Sequence, residues 1–230
     1  MIFSGYFPRA IAVVDLHIPH EFPESLLDRR TENGSVHASS VFNHDEDGTL
    51  RVWFQQRLLN IGPWVDCPHP PDVAIIAPDA RHHFRHYIRE IEALNLKVWS
   101  IESDQCSNMY LNLHDSRGRV VALAGRPDYL ISASATTRAN FLEKTKCVIE
   151  VQSQQNLDIC EYQIQLYLLI LMNIRGLTNV YGFLVHLDGN CRAYRAFRGA
   201  EGDCMYEEND VFHVSHLANV IRMLLPNPLV

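Results

Sequence analysis

The segment Cys147-Val148-Ile149-Glu150-Val151-Gln152 sets a carboxylate between Ile149 and Val151 in a run with strand character. Burying such a charge is costly unless it is paired or binds a cation, so Glu150 limits what this part of the chain can be. A second acid, Asp128, ends the tetrapeptide Gly125-Arg126-Pro127-Asp128 at the head of another apolar run, Tyr129-Leu130-Ile131. Two carboxylates on neighbouring strands can hold one divalent metal ion. That is the geometry of metal-assisted phosphodiester hydrolysis.

Strand alternation puts Lys146, Val148, Glu150 and Gln152 on one face. The signals around them outline a domain. Residues 79 to 96 carry helical periodicity, with Phe84, Ile88, Ile91 and Leu94 or Leu96 on one side and Asp79 as a cap. Lys97 to Ile101 reads as a short strand. Met109 to Leu113 and Arg119 to Ala124 flank the turn sequence Asp115-Ser116-Arg117-Gly118 and form a hairpin. Leu157 to Arg175 is a long helix that stops at Gly176. Val180 to Leu187 and Arg192 to Phe197 pair around Asp188-Gly189-Asn190, and Val211 to Leu225 is a closing helix before Pro226. The pattern predicts an α/β class, with a central mixed sheet and helices on both faces.

Residues 1 to 78 read as an extension rich in Pro and His. Ala10 to Leu16 is an apolar run. Ser35 to Phe42 and Thr49 to Gln55 form a hairpin about Asp45-Glu46-Asp47-Gly48, and Pro63 to Pro71 is a linker or rigid loop. The runs Ala10 to Leu16 and Val52 to Leu59 are too apolar for a disordered arm, so this extension is expected to pack on the core.

The order Gly-x-Pro-Asp, then Glu-x-Gln on an apolar strand, then Gln163-x-x-x-Tyr167 on a helix resembles the PD-(D/E)XK nuclease superfamily. The helix motif is closest to its RecB-like branch. The resemblance covers roughly residues 79 to 198 and implies a restriction-endonuclease-like core: a helix, three strands, a helix and another strand. It implies that Asp128 and Glu150 coordinate Mg²⁺ or Mn²⁺ with the backbone carbonyl of Val151 as a third ligand. An acid of the first helix, Glu90 or Glu92, would complete the shell. Gln163 and Tyr167 would line the site and hold substrate, with Arg126 beside them. The chain departs from the family at Gln152, where lysine is usual. A lysine there orients the nucleophile and offsets developing charge, whereas glutamine offers hydrogen bonds alone. Lys144 or Lys146 could substitute. The implied activity is metal-dependent hydrolysis of DNA or RNA.

Blander readings compete at each position. Asp128 can cap a turn after Pro127, and Glu150 can face solvent from an edge strand. Gln163 and Tyr167 can be ordinary positions of an amphipathic helix. Arg81, Arg85 and Arg89 recur at four-residue spacing and could track a phosphate backbone or simply form a solvated face. His82, His86 and Glu90 could form a zinc face, although no HExxH motif is present, and His213 and His216 are weaker candidates. The net charge of −7 disfavours broad electrostatic binding of nucleic acid. Together with Gln152 it favours an alternative: an inactive module of the same fold that binds nucleic acid or a protein partner, or forms a homodimer.

No Walker A, Gly-x-Gly-x-x-Gly or Gly-x-Ser-x-Gly sequence occurs. The six cysteines show no CxxC spacing. Cys147 and Cys160 read as buried small hydrophobes in a reducing compartment. No secretory leader is visible, and Ile164 to Ile174 is too short to span a bilayer. An intracellular protein of nucleus or cytoplasm, without a membrane partner, is expected.

Overall fold

The computed structural model describes residues 12–17, 21, 35–37, 48–68, 80–100, 109–133, 136, 141–152, 157–174, 177–186 and 188–225. The elements run β1 (Ala12–His17), β2 (Ser35–His37), α1 (Thr49–Arg57), β3 (Leu58–Pro63), α2 (Ala80–Glu92), β4 (Leu96–Ser100), β5 (Met109–His114) and β6 (Val120–Gly125). There follow β7 (Tyr129–Ala133), α3 (Phe141–Lys144), β8 (Thr145–Gln152), α4 (Leu157–Met172), β9 (Asn179–His186), β10 (Asn190–Arg198), β11 (Cys204–His213), a 3-10 turn at Val214–His216 and α5 (Leu217–Leu224).

These strands make two sheets. The larger is mixed and seven-stranded, in the order β3-β11-β10-β9-β8-β7-β4. The smaller holds four strands, β1-β5-β6-β2. The class is α/β, as the periodicity implied, but the second sheet was not foreseen. Both sheets draw strands from either side of residue 78: β1 pairs with β5, β2 with β6, and β3 with β11.

Helix α4 explains the layering. From Ile164 to Met172 its apolar side chains are buried on every side, with Tyr167 among them. A helix that is hydrophobic all round must be covered all round. On one flank it meets β8, β9 and β10, and on the other β1, β5 and β6. The large sheet's opposite face is covered by α2 and α5, whose Phe84, Ile88, Ile91, Leu217 and Val220 pack with Ile131, Cys147 and Ile149. The alternate residues Leu130, Val148 and Leu184 pack with α4. Strand alternation thus divides the core into two clusters, one per face.

The connection that matters most is β8-α4-β9. β7 and β8 are antiparallel, whereas β8 and β9 are parallel. Parallel neighbours need a crossover, and α4 supplies it. The helix leaves from the end of β8 that carries Glu150 and Gln152, so its first turns lie over those residues.

Several expectations need correction. Thr49 to Gln55 is not a hairpin arm but most of α1. Adjacent Trp53 and Phe54 are both buried while Val52 is exposed. A one-faced strand cannot bury two successive side chains, whereas a helix can. The proposed partner arm contributes β2, which pairs in parallel with β6; residues 38 to 47 lie outside the described residues.

Val211 to His213 belongs to β11, so the last helix begins at Leu217. The His213 side chain accepts the Ser215 N–H and so ends the strand and caps the turn that follows. β11 escaped notice because Glu207 and Glu208 look like loop residues. In the sheet, Glu207 sits opposite Arg195 and pairs with it at 2.6 Å. β3 was missed for a related reason: its side chains are mostly exposed, and Pro63 ends it. Helix α4 stops at Met172, where Asn173 Nδ2 donates to the Leu169 carbonyl at 2.8 Å. Asp79, Gly176 and residues 69 to 71 of the expected linker lie outside the described residues, while Trp64 and Cys67 within that linker are buried.

The Asp115 turn is as expected. Asp115 is buried, accepts the backbone N–H groups of Arg117 and Arg119, and pairs with the Arg119 guanidinium at 2.7 Å. Cys147 is buried, as are Cys67, Cys191 and Cys204, and all four are free thiols. Among the described residues no helix is long and apolar enough to cross a membrane.

Candidate functional site

Asp128 lies just before β7, and Glu150 is two residues from the end of β8. The ladder between those strands pairs Tyr129 with Ile149. One residue further on, each acid's carboxyl accepts a backbone N–H from the other segment. The Val151 N–H donates to Asp128 Oδ2 at 2.7 Å, and the Asp128 N–H donates to the Glu150 carboxyl. Asp128 therefore terminates the β7–β8 pairing. The same bond fixes the carboxylate beside Glu150.

Glu150 is not a solvent-facing edge residue. β8 is an inner strand between β7 and β9, and the Glu150 side chain is on the α4 face with 3% of the residue exposed. Burial, then the charge of Asp128, pushes its carboxyl up to about 8; hydrogen bonds from Gln152 and the Asp128 backbone oppose the rise. Oε1 accepts from Gln152 Nε2 at 2.6 Å, whereas Oε2 is buried without a partner. A buried polar atom in that state calls for a proton, an ordered water or an ion.

A polar chain continues from there. Gln152 Nε2 also approaches Gln163 Oε1 at 3.5 Å, and Gln163 Nε2 donates to Tyr167 Oη at 3.3 Å. Tyr167 Oη also accepts a hydrogen bond from the Arg126 backbone. The chain thus returns to the Gly125–Asp128 segment. Burial, followed by the Glu150 charge, holds the Tyr167 phenol well above its ordinary value, so it keeps its proton. The ring is wholly buried, and its influence on any ligand passes through Gln163 and the Arg126 backbone. Gly125 is the residue that admits it: a Cβ there would lie 2.5 Å from Tyr167 Cε1.

The sequence-derived residues Arg126, Asp128, Glu150, Val151, Gln152, Gln163 and Tyr167 are therefore brought together, with the Arg126 side chain exposed at the rim. Glu90 is not among them. It pairs with His86 at 3.3 Å on α2, the helix that covers the opposite face of the sheet. Glu92 is on the same helix and is exposed. Arg85 and Arg89 are exposed there too, while the side chains of Arg81 and His82 lie outside the described residues. Lys144 is exposed and Lys146 half-buried, and no cation of the described residues enters the balance that sets the Glu150 carboxyl.

Two features were missed. His186 stands opposite Gln152 in the β8–β9 register. Arg192, opposite Leu184, reaches α4 to pair with Glu161. Neither carries a sequence signal, because each depends on which strand lies next to which.

Among the described residues no group of three or more His, Cys, Asp or Glu is placed to hold a metal ion. A cation at Asp128 and Glu150 would thus rest on two carboxylates and on backbone, water or substrate oxygens. That donor set is poor for zinc and suits Mg²⁺ or Mn²⁺, which keep several waters and share substrate phosphates. The unpartnered Glu150 Oε2 fits such an ion. The class defined by fold and site is an α/β protein with a buried glutamate near the C-terminal end of an inner strand and a half-buried aspartate beside it. No family model matches the chain, and no curated protein or solved structure matches it either.

Proposed function

We propose that this chain is a divalent-cation-dependent nuclease on a PD-(D/E)XK-like core, acting on DNA or RNA inside the cell. The observation that carries the reading is Glu150: a buried carboxyl on an inner strand that accepts the Asp128 backbone N–H, beside an Asp128 carboxylate that accepts the Val151 N–H, and left with one oxygen unpartnered. The element order supports it. Taken through the large sheet, α2-β4-β7-β8-α4-β9 gives a helix, three strands, a helix and a strand, with the β5–β6 hairpin and the one-turn helix α3 inserted.

Asp128 and Glu150, with the Val151 carbonyl, would hold Mg²⁺ or Mn²⁺. When bound, the ion supplies positive charge that stabilises the transition state of phosphodiester hydrolysis. The protein's own groups do the rest. Gln152 orients water or phosphate through its amide. Gln163 fixes that amide, and Tyr167 fixes Gln163. The Arg126 guanidinium, exposed at the rim, meets the phosphate backbone.

Calorimetry with Mn²⁺, using Glu150→Ala as control, tests the cation site. Cleavage of single- and double-stranded DNA and RNA in Mg²⁺ and Mn²⁺ tests the activity. Within that assay Gln152→Ala should slow cleavage by about a hundredfold, on the order of one lost transition-state hydrogen bond. Gln152→Lys should match or exceed wild type. A second reading, a non-catalytic module that binds nucleic acid or a protein, is favoured by Gln152 and by the net charge of −7. Inertness of both wild type and Gln152→Lys would select it.

A further inference from the structure

A nuclease with glutamine at position 152 lacks a charged group to handle the attacking water, and the sheet places another candidate next to it. β8 and β9 run parallel with Glu150 opposite Leu184 and Gln152 opposite His186. Leu184 packs with α4, whereas Phe183 and Val185 pack on the α2 face. Alternation therefore turns His186 to the face of Glu150 and Gln152, one strand spacing, about 4.8 Å, from Gln152. His186 is 7% exposed, and its Nδ1 is buried without a partner. Glu150 Oε2 is in the same condition on the same face. Two unpartnered buried polar atoms, one carboxyl and one imidazole, thus flank Gln152 and leave room in the hydrogen-bond pattern for a ligand or water between them.

Resting on the nuclease reading, we propose that His186 is a further catalytic residue of this site, accepting the proton of the water that attacks the phosphodiester. In that step the water oxygen forms the new bond to phosphorus while its proton passes to an imidazole nitrogen. The bond from phosphorus to the leaving sugar oxygen breaks with its electron pair. The leaving oxygen takes a proton from solvent, and the imidazolium later returns its proton to bulk water.

The surroundings suit a neutral acceptor. Burial lowers the His186 imidazole below its ordinary 6.5, and the nearby Asp188 opposes this without reversing it. Gln152 on β8 is uncharged. On β10, Arg192 is committed to Glu161 of α4, and Glu150 lies beyond Gln152. A nitrogen that is unprotonated at neutral pH can accept a proton, which a lysine ammonium cannot.

The test compares wild type, His186→Gln and Glu150→Ala in Mn²⁺ from pH 5 to 9, on single- and double-stranded oligonucleotides. Wild type should show a rising limb governed by a group titrating below the usual histidine value. His186→Gln should lose that limb and slow by about a hundredfold or more, as loss of a general base does. Added imidazole should restore part of the rate, which an unfolded variant would not permit. Mn²⁺ affinity of His186→Gln should stay that of wild type. In the intact protein, the His186 imidazole resonances should move when Mg²⁺ and a phosphorothioate oligonucleotide are added together. A His186→Gln variant that cleaves at the wild-type rate, or His186 resonances that ignore the oligonucleotide, overturns the role of His186 and leaves the nuclease intact. A wild type that neither binds Mn²⁺ nor cleaves overturns the nuclease, and His186 with it.

Discussion

Glu150→Gln should abolish tight Mn²⁺ binding and slow cleavage by at least about a thousandfold, close to 4 kcal/mol of transition-state stabilisation. The substitution keeps the shape and the hydrogen bond with Gln152 possible, so a loss cannot be assigned to collapse of the site. The effect should carry a pH signature. The carboxyl is raised from its ordinary 4.5 to about 8 by burial and by Asp128. A group raised in this way contributes stability that is fully present below its unfolded value and lost as pH rises through its folded one. Without cation, wild type should therefore lose stability against Glu150→Gln as pH rises from about 5 to 8, because the glutamine has no proton to surrender. With Mn²⁺ the order should reverse at the alkaline end: the ion takes the proton's place on Glu150 and stabilises the folded state alone. Binding should then release about one proton per cation, read from calorimetry in two buffers of different ionisation enthalpy. Thermal melts of both proteins, with and without Mn²⁺, check the crossing. Parallel pH curves would mean that Glu150 is not the titrating ligand.

The site was legible in the sequence because its members sit at fixed places on a short stretch of chain. An acid between Ile149 and Val151 is costly wherever the strand is buried, and Asp128 stands at the head of the strand that pairs with it. Gln163 and Tyr167 are four apart on the helix that must cross from β8 to β9. Those three segments are joined by local geometry, so their order and spacing place them near one another, while the roles of Gln163 and Tyr167 rest on the resemblance to the nuclease superfamily. Glu90 rests on the resemblance to a family with a first-helix acid, and nothing in periodicity says which face that helix covers. It covers the other face, where Glu90 meets His86.

His186 shows the opposite limit. Its proximity to Gln152 follows from the parallel register of two strands separated by a whole helix, which no local pattern encodes. The small sheet was hidden in the same way. β1 and β2 find β5 and β6 across long stretches of sequence. The sign that a second layer was needed lay in α4: a helix apolar on every side cannot be satisfied by one sheet. Elsewhere, β11 carries no strand signal of its own, because a cross-strand pair such as Glu207 with Arg195 looks, one strand at a time, like exposed polar residues.

Gly125→Ala should destabilise the fold by about 2 to 3 kcal/mol, the range of an overpacked core. A Cβ at this position would lie 2.5 Å from Tyr167 Cε1 and 3.2 Å from both Cζ and Oη, and Tyr167 is wholly buried. For a chain of this size, that should lower Tm by roughly 5 to 10 °C. The clash also falls on the polar chain. Displacing the Tyr167 hydroxyl loosens its bonds to Gln163 and to the Arg126 backbone, and with them the Gln152 amide beside Glu150. Gly125→Ala should thus lose activity at temperatures where it remains folded, whereas an ordinary core defect on the α2 face should not. Tyr167→Ala offers the control. That substitution alone is destabilising, because it empties a large buried volume, but in its presence Gly125→Ala should cost little. The two changes should be strongly non-additive in a double-mutant cycle. Additive costs would show that glycine is required at position 125 for some reason other than the approach of Tyr167, and the link between the Gly125–Asp128 segment and α4 would fall with that result.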